Sequence, residues 1–291
     1  AEMGEVVIIT KKSDYESSTN YAQGGIAGAL GVDDSTDRHV ADTLEAGDGL
    51  CNAEVVRMAA REGPAIVEQL IRWGCRFTRN PDGTLSLGRE GGHTRNRIVH
   101  NADLTGREIE RALLERVREH PNITLLNNHI AVDLLTEHHL GDAGRRKVIN
   151  CFGAYVLNVE GRRIETFLAG ATMLCTGGTG QAYLHTSNPE IATGDGVAMA
   201  FRAGAKVGNL EFMQFHPTMM KLQDGRSFLI SEAVRGYGAI LVDHAGRRIM
   251  EEHPMKDLAP RDVVARAIDR YLKNSGHEYV YLDVTGHDPD K

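Results

Sequence analysis

The sequence predicts a mixed α/β fold in two parts, and three observations support it. Residues 5–10 form an apolar run that predicts a short buried strand, and apolar residues at helical spacing follow it. Residues 123–175 then alternate short apolar runs with turn residues, as in a strand meander. Towards the end of the chain the composition changes to a His-Pro pair and glycine-rich turns. We therefore predict an α/β domain at residues 1–209 and a smaller α+β domain at residues 210–291.

The helices are predicted from apolar spacing and from signals at their ends. Residues 52–73 carry apolar side chains at helical spacing, with a break expected at Gly63–Pro64. Thr105–Glu108 has the capping-box pattern and precedes apolar residues at helical spacing, so a helix is expected there. Gly194–Gly196 opens another helix. A further helix is expected near residues 261–273.

The strand after residue 4 also indicates where the chain begins within its fold. Ala1–Gly4 resembles the last turn of a helix closed by a glycine, so residues 5–10 would be the second strand of a doubly wound nucleotide-binding unit. The first strand and its Gly-x-Gly-x-x-Gly turn are then expected before Ala1, and no such motif occurs in the 291 residues. The first domain is therefore expected to be an incomplete Rossmann-like unit.

The later strands are predicted from apolar runs and the turns between them. Within the meander, turns are expected at Gly141–Gly144 and Glu160–Gly161, and the last strand at Ala171–Cys175. A further strand is expected at residues 279–284 in the smaller domain.

Composition excludes several classes of function. The chain has 291 residues, 41% of them apolar, which suffices for a hydrophobic core. Its 33 basic and 40 acidic residues give a net charge of −7, so a nucleic-acid partner is not expected. No apolar stretch approaches the roughly 20 residues that span a bilayer, so no membrane partner is expected. The cysteines form no Cys-x-x-Cys pair, so we expect no metal site and a reducing, cytoplasmic location; they are Cys51, Cys75, Cys151 and Cys175.

Five segments resemble one family in order and spacing. Asn209–Thr218 ends in His-Pro-Thr; Ser18–Ile26, Ser231–Gly236 and Ala259–Asp262 accompany it. Together they resemble the succinate dehydrogenase, fumarate reductase and L-aspartate oxidase flavoproteins. Arg89–Arg107, which contains Arg-Glu-Gly-Gly-His, is most similar to the L-aspartate oxidase branch. The resemblance extends over nearly the whole chain and implies an incomplete FAD-binding domain followed by an incomplete capping domain.

The segment after residue 17 is the clearest candidate for flavin binding. Its adjacent glycines let backbone N–H groups approach a phosphate or a ring edge, although alone the segment would be a flexible turn. The resemblance implies that it contacts FAD. In the succinate dehydrogenase branch a histidine five residues before the glutamine carries the covalent flavin; a serine stands there in this chain, so noncovalent FAD is expected. The residues are Ser18, Thr19, Asn20, Tyr21, Ala22, Gln23, Gly24 and Gly25.

Other cofactor contacts implied by the resemblance are scattered along the chain. Two glycines follow an apolar run, which is how a sheet delivers backbone to a cofactor at its carboxyl edge. An acidic residue opens a helix, where it would also suit the positive helix end without any ligand. Three further residues match positions near the adenosine half of FAD. The full set is Gly177, Gly178, Asp195, Lys11, Ile130 and Ala131.

A dicarboxylate substrate requires charge-assisted donors at both ends. The resemblance implies substrate contacts at His216, Ser231 and Glu232 and a catalytic role for Arg261 as proton donor or acceptor in fumarate reduction. Alone, a histidine before proline is a structural residue and an arginine at a helix start is a solvated charge. Because the pKa of arginine lies above about 12, substrate orientation is the better supported role of Arg261.

Glu90 discriminates between the branches of the family. A fumarate or succinate site gains nothing from a further carboxylate, whereas an α-ammonium group requires a negative partner. By resemblance Glu90 recognises the substrate amine; without the family it would be a surface glutamate between glycines.

The resemblance implies FAD-dependent oxidation of L-aspartate to iminoaspartate in NAD biosynthesis, with O2 or fumarate as acceptor and quinolinate synthase as a possible partner. Two alternatives remain open: a fumarate reductase or succinate dehydrogenase flavoprotein, and an inactive remnant that serves as a binding module. The family's second flavin segment and a further substrate histidine and arginine would follow Lys291. The chain alone is therefore expected to be inactive and to bind FAD weakly.

Overall fold

The computed structural model describes residues 1–140, 148–221 and 227–286. Six α-helices lie within these ranges: α1 Thr36–Ala46, α2 Ala53–Arg72, α3 Thr105–Glu119, α4 Asp195–Arg202, α5 Glu232–Gly236 and α6 Arg261–Ser275. The described strands are β1 Val6–Ile9, β2 Ile26–Ala27, β3 Leu87–Gly88, β4 Ile98–Val99, β5 Ile123–Leu126, β6 His129–Thr136, β7 Cys151–Asn158, β8 Arg163–Leu168, β9 Met219–Lys221, β10 Ser227–Leu229, β11 Ile240–Val242 and β12 Tyr281–Asp283. The predicted mixed α/β class is confirmed.

The chain divides into two compact units, and each consists of two separate segments. The first unit comprises Ala1–Asn20 and Leu113–Met213, and the second comprises Tyr21–Ala112 and Gln214–Lys291. The division between residues 209 and 210 stays a prediction.

The first unit is built on two small sheets. β1 pairs with β5 in parallel, with Val6 opposite Ile123. β6, β7 and β8 form the antiparallel meander that the sequence predicts, and the predicted turn at Glu160–Gly161 connects its last two strands. Helix α4 packs on β6, and residues of β6, β7 and α4 form one buried core: Leu134, Ala154, Val156 and Met199. This packing fixes the start of α4, where one predicted cofactor residue lies.

Two strand predictions for the first unit need correction. The predicted strand at Ala171–Cys175 is wrong, because these residues form no strand and Met173 is 86% exposed. An apolar run requires a neighbouring strand to complete its hydrogen-bond ladder, and this run pairs with none of the described strands. The first strand was also expected to be buried, but Val7 is 47% exposed. The turn predicted at Gly141–Gly144 lies outside the described residues.

The second unit combines helices with three small sheets. α1 packs against α2, and β4 lies between β2 and β3 in an antiparallel sheet. β9 pairs with β10 and β11 with β12, so the strand expected at residues 279–284 is confirmed in its central part. The predicted helix near residues 261–273 is confirmed as α6, which packs through Val264 against Leu241 and Met250.

Helix α2 is continuous, so the break predicted at Gly63–Pro64 is wrong. Proline removes one backbone donor from a helix and usually bends or ends it. In α2 that cost is offset by the buried face formed by Ala60, Val67 and Leu70. The Asn52 side chain caps the helix by accepting from the backbone N–H groups of Glu54 and Val55 at 3.0 and 3.3 Å.

The predicted helix at Thr105 is confirmed as α3, but its capping box is wrong. Thr105 is already helical, and its hydroxyl accepts from the backbone N–H of Asn101 at 3.0 Å. The Glu108 carboxylate accepts from the backbone N–H of Arg76 at 2.8 Å and pairs with Arg111. The Thr105 hydroxyl is thus taken by a backbone N–H four residues earlier, and the Glu108 carboxylate by one 32 residues earlier. None of the helices in the described ranges combines the length and the apolar character needed to cross a bilayer.

Candidate active site

Three predicted substrate residues meet in the second unit. Glu90 lies in the loop between β3 and β4, Glu232 begins α5, and Arg261 begins α6. The Arg261 guanidinium donates through Nε to Glu232 Oε2 and through Nη2 to Glu90 Oε2, the latter at 3.4 Å. The Arg261 and Glu90 side chains are 32% and 31% exposed, so the pair remains accessible to a small ligand.

The environment of Glu90 disfavours its charged form. Burial is the main cause that raises the pKa of Glu90 above its ordinary value, and the negative charge of Glu232 adds to it. The Arg261 charge and the backbone N–H of Gly25 act in the opposite direction. A positive group arriving beside Glu90 would therefore relieve an unfavourable charge.

His216 is a neutral imidazole in the same charged cluster. Burial lowers its pKa to about 4, and the positive charge of Arg261 contributes in the same direction. Its Nδ1 accepts from the backbone N–H of Thr218 at 3.2 Å, which leaves Nε2 to carry the proton. His216 can therefore donate one hydrogen bond from Nε2 at neutral pH.

Ser231 is held in place by its neighbours on both sides. The backbone N–H of Ile230 donates to the Thr218 carbonyl at 3.0 Å, and the Thr218 hydroxyl donates to the Ile230 carbonyl at 3.1 Å. After Ser231, its carbonyl accepts from the backbone N–H of Val234 at 3.1 Å. Ser231 thus lies between the strand pair β9–β10 and the start of α5.

Arg235 belongs to this cluster, although the sequence did not indicate it. Its side chain is 1% exposed, and Nη2 lies 3.4 Å from Glu232 Oε1. Nη1 donates to the Asp257 carbonyl at 2.9 Å, whereas Nε and Nη2 lack a hydrogen-bond partner among the described residues. Burial lowers the pKa of Arg235 below its ordinary value. The signal that was available was the i, i+3 spacing from Glu232 on one helix.

Part of the predicted flavin segment, from Tyr21 to Gly25, lies in the second unit. The Ala22 carbonyl accepts from the backbone N–H of Gly106 at 3.0 Å, and Gln23 Nε2 donates to the Leu229 carbonyl at 3.1 Å. A Cβ at Gly25 would lie 2.3 Å from the Val99 carbonyl oxygen, so only glycine fits there. Close backbone packing therefore determines the path of this segment.

The first unit contains the other predicted cofactor residues. Lys11 Nζ donates to Asp195 Oδ2 at 2.6 Å and to the Ile191 carbonyl at 3.2 Å. Although burial opposes it, this hydrogen bond and that from Thr193 leave the pKa of Asp195 below its ordinary value. The structure thus joins Lys11 and Asp195, which are 184 positions apart.

The remaining first-unit candidates are fixed mainly through backbone. Ser18, Thr19 and Asn20 form a turn in which the Asn20 N–H donates to Ser17 Oγ at 3.0 Å. Gly177 has a φ of +67°, and the Gly178 carbonyl accepts from the Gly194 N–H at 3.1 Å. Within β6, Ile130 and Ala131 lie opposite Leu157 and Val156 of β7.

Two features fit a flavin nucleotide. Gln23 Oε1 is buried and has no hydrogen-bond partner among the described residues, so an acceptor remains for an N–H group such as a flavin ring provides. A Cβ at Gly178 would meet no atom within 4 Å, so the backbone at this position is open to a ligand.

Residues 1–291 match the family model described as the FAD binding domain. The chain is 49% identical to "L-aspartate oxidase 1" of Ralstonia nicotianae over 99% of its own length and 54% of that protein. It is 46% identical to a chloroplastic L-aspartate oxidase of Oryza sativa subsp. japonica over 98% of its length and 45% of that protein. The chain thus spans about half the length of the curated relatives it matches.

A solved structure of E. coli quinol fumarate reductase, chain FrdA, is also similar. The TM-score is 0.90 at 29% identity, covering 99% of this chain and 50% of that one. These comparisons confirm the resemblance to the flavoprotein family and to its L-aspartate oxidase branch, and they confirm FAD as the family's cofactor. The chain belongs to the FAD binding domain family.

Proposed function

We propose that the chain forms part of an FAD-dependent enzyme that oxidises L-aspartate to iminoaspartate in NAD biosynthesis. The observation that carries this proposal is the Glu90 carboxylate beside Arg261, with Nη2 and Oε2 3.4 Å apart. Arginine increases the affinity of a site for a dicarboxylate, whereas a partly buried carboxylate such as Glu90 reduces it. Glu90 contributes to binding only when the substrate also carries an ammonium group. Relatives named L-aspartate oxidase, 46–49% identical, support the same substrate.

Each proposed substrate contact follows from the charge or the hydrogen-bonding capacity of its side chain. Arg261 offers a planar pair of donors to one carboxylate, and the neutral His216 offers Nε2–H. The Ser231 hydroxyl is a further donor, whereas Glu90 accepts from the ammonium group. Glu232 keeps Arg261 oriented through its ion pair. Together these groups would hold L-aspartate in one orientation, which is the main contribution a protein makes to this reaction.

Oxidation of L-aspartate to iminoaspartate removes a hydride from Cα and a proton from the nitrogen. FAD supplies the acceptor for the two electrons when it is bound. We propose that it binds noncovalently, because Ser18 offers no imidazole for attachment. The proposed contacts are Ser18–Gly25, Ile130–Ala131 and the other predicted cofactor residues: Lys11, Gly177, Gly178 and Asp195. Residues 1–209 would thus bind the cofactor and residues 210–291 cap the substrate.

We further propose O2 or fumarate as the oxidant that restores the cofactor, and quinolinate synthase as a partner that consumes the product. A cytoplasmic location is proposed as well. It is supported by the free thiols of all four cysteines, Cys51, Cys75, Cys151 and Cys175.

The likeness to fumarate reductase favours a second candidate, a flavoprotein that acts on fumarate or succinate. Both candidates use the same hydrogen-bond donors, so Arg261 and His216 do not separate them. Glu90 does, because succinate carries no ammonium group. Against succinate, a carboxylate at this position adds only repulsion.

The deciding experiment uses a protein of the relatives' full length that contains this chain, because the chain alone is expected to be inactive. Its anaerobic visible spectrum with FAD is recorded before and after addition of L-aspartate or succinate. Bleaching of a retained, acid-extractable flavin by L-aspartate but not by succinate is the expected result. Bleaching by succinate alone would refute the proposal in favour of the second candidate. Retained flavin that neither compound bleaches would favour the binding module over both enzymes.

A further inference from the structure

A buried arginine lies at the base of the loop that carries Glu90. The loop runs from Gly88 to Arg97 and closes where the Arg97 N–H donates to the Gly88 carbonyl at 3.0 Å. The Arg97 side chain is 0% exposed. Arginine is almost never fully buried unless its charge is paired.

Two aspartates pair with Arg97. Asp34 accepts from Nε at 2.8 Å and from Nη2 at 2.9 Å, in the planar two-point geometry that arginine favours. Asp42, in α1, accepts from Nη1 at 2.6 Å. The same Asp42 carboxylate accepts from the backbone N–H of Thr94 at 2.9 Å. The loop is therefore tied to α1 through the arginine and directly through Thr94.

Two histidines complete the group. His93 Nδ1 lies 3.3 Å from Arg97 Nη1, and the His39 ring centroid lies 6.0 Å from that of His93. Burial, followed by the positive charge of Arg97, lowers the pKa of both imidazoles below their ordinary values. The charged groups that face them are Arg97, Asp34 and Asp42. We call these five residues the Arg97 anchor: Arg97, Asp34, Asp42, His39 and His93.

The tip of the loop contains little that would hold Glu90 by itself. Gly91 and Gly92 follow Glu90 directly, and Gly92 has a φ of +81°. Glycines give the chain more conformations to lose, so a glycine-rich tip stays ordered only when its flanks are fixed. The anchor supplies one fixed flank at His93 and Thr94, and the closure at Gly88 supplies the other.

We propose that Arg97 is a positioning residue for Glu90, and that the Arg97 anchor holds the loop so that the Glu90 carboxylate can receive the ammonium group of the substrate. This inference rests on the proposed function. Arg97 acts only through the loop, so it should affect ligands with an ammonium group more than ligands without one. A residue that merely stabilised the fold would affect both ligands equally.

Protonation of the imidazoles provides a second signature. A second positive charge beside Arg97 would weaken the His93–Arg97 contact and compete for Asp42. The loop is therefore expected to loosen as the pH falls below about 6.5, the ordinary histidine value. His39 and His93 would protonate in this range with folded-state pKa values below that figure.

The test combines hydrogen exchange with ligand binding on a protein of the relatives' full length that contains this chain, supplied with FAD. The variants are Asp42→Asn and His93→Gln, and the control is Asp82→Asn, which alters a carboxylate that accepts from Thr84 in an exposed turn. Exchange of the amides of residues 89–93 is expected to rise about tenfold in both variants, since one hydrogen bond to a charged group is lost. The dissociation constant for L-aspartate is expected to rise about tenfold and that for succinate less than about twofold.

Unchanged exchange, or equal weakening of both ligands, would overturn the inference. If Asp42→Asn fails to fold, His93→Gln decides, because it leaves both carboxylates on Arg97. A wild-type chain that retains FAD but binds neither dicarboxylate would overturn the proposed function, and the selectivity role of Arg97 with it. A wild type that prefers L-aspartate, with variants that keep the full preference, would overturn the inference alone.

Discussion

Glu90 Oε2 lies 3.4 Å from Nη2 of Arg261, although 171 positions separate the two residues in the sequence. The loop between two short strands and the first residue of a helix thus bring opposite charges together. Glu232 pairs with the same guanidinium, so Arg261 faces two carboxylates. Arg235 pairs with Glu232 as well, so the cluster holds two positive and two negative charges. It therefore offers donors to a carboxylate and an acceptor to an ammonium group.

The first prediction is that Glu90→Gln removes the preference for the amine. The amide keeps the size of the side chain but loses its charge. One hydrogen bond to a charged group contributes about 1.5–3 kcal/mol, so the dissociation constant for L-aspartate should rise about 10- to 100-fold. Succinate should bind equally well or better. Isothermal titration of both ligands in the presence of FAD measures the ratio.

The matched control is Glu62→Gln, which changes an exposed glutamate on α2. It should leave both dissociation constants unchanged. If Glu90→Gln weakens succinate as much as L-aspartate, Glu90 supports the site rather than reading the amine, and the substrate assignment loses its main argument.

Local sequence signals predicted the positions of the helices well. They failed for features that depend on packing against residues far away in the sequence. The apolar spacing of residues 52–73 identified α2, but the burial of Val67 and Leu70, which carries the helix through Pro64, depends on packing that no single window contains. Similarly, Thr105–Glu108 marked a helix start, yet the Glu108 carboxylate accepts from the distant backbone N–H of Arg76 instead of capping the helix. The helices were therefore predictable and their end chemistry was not.

The site followed the same pattern. Glu90, Glu232 and Arg261 were predicted as separate motif positions, and their ion pairs arise only in the folded chain. Arg97 and Arg235 were missed because no neighbouring residue in the sequence indicates that their side chains are buried. Each is fully or almost fully buried, and for an arginine that condition depends on carboxylates or carbonyls contributed by other segments.

The second prediction concerns the pH dependence of stability through His216. Its folded-state pKa of about 4 lies below the ordinary 6.5, so the unfolded chain binds the proton first as the pH falls. The neutral imidazole makes its full contribution to the free energy of unfolding above about pH 6.5, and this contribution is lost as the pH falls to about 4. At about 1.4 kcal/mol per pKa unit, the full loss is on the order of 3 kcal/mol.

Urea unfolding of wild type and His216→Gln at pH 7 and pH 4.5 measures this difference. The variant should lose less stability than wild type on acidification. Exposed His185 provides the control, since His185→Gln should lose as much as wild type. Equal losses in all three proteins would place the His216 imidazole in a more polar environment than the structure has.

The third prediction is that Arg235→Met destabilises the second unit. Removing the guanidinium leaves Glu232 with one partner fewer and the Asp257 carbonyl without its donor. Loss of one member of a buried charge pair costs about 3–5 kcal/mol of folding free energy. Because Nε and Nη2 of Arg235 make no hydrogen bond to the described residues, we expect the lower value, about 3 kcal/mol.

Equilibrium urea unfolding at pH 7 measures this loss. Arg266→Met removes an arginine that is 66% exposed and pairs with Asp262 four residues earlier, so it should change the free energy of unfolding by less than about 0.5 kcal/mol. A similar small effect from Arg235→Met would show that the buried guanidinium is replaceable by a methionine of like volume.

The fourth prediction separates cofactor binding from folding at Gly178. An added Cβ would meet no atom of the protein within 4 Å, so Gly178→Ala should not lower the unfolding midpoint. Under the proposed contact with FAD, the methyl group would occupy space that the cofactor needs, and overpacking of this kind costs about 1–3 kcal/mol. The dissociation constant for FAD should then rise about 5- to 100-fold, measured by quenching of flavin fluorescence.

Gly208→Ala is the matched control, because its Cβ would also meet nothing within 4 Å and Gly208 is no proposed cofactor residue. If both variants bind FAD as wild type does, the backbone at Gly178 is not in contact with the cofactor. If both weaken FAD equally, the effect comes from general stiffening of the chain, since alanine restricts the backbone at either position.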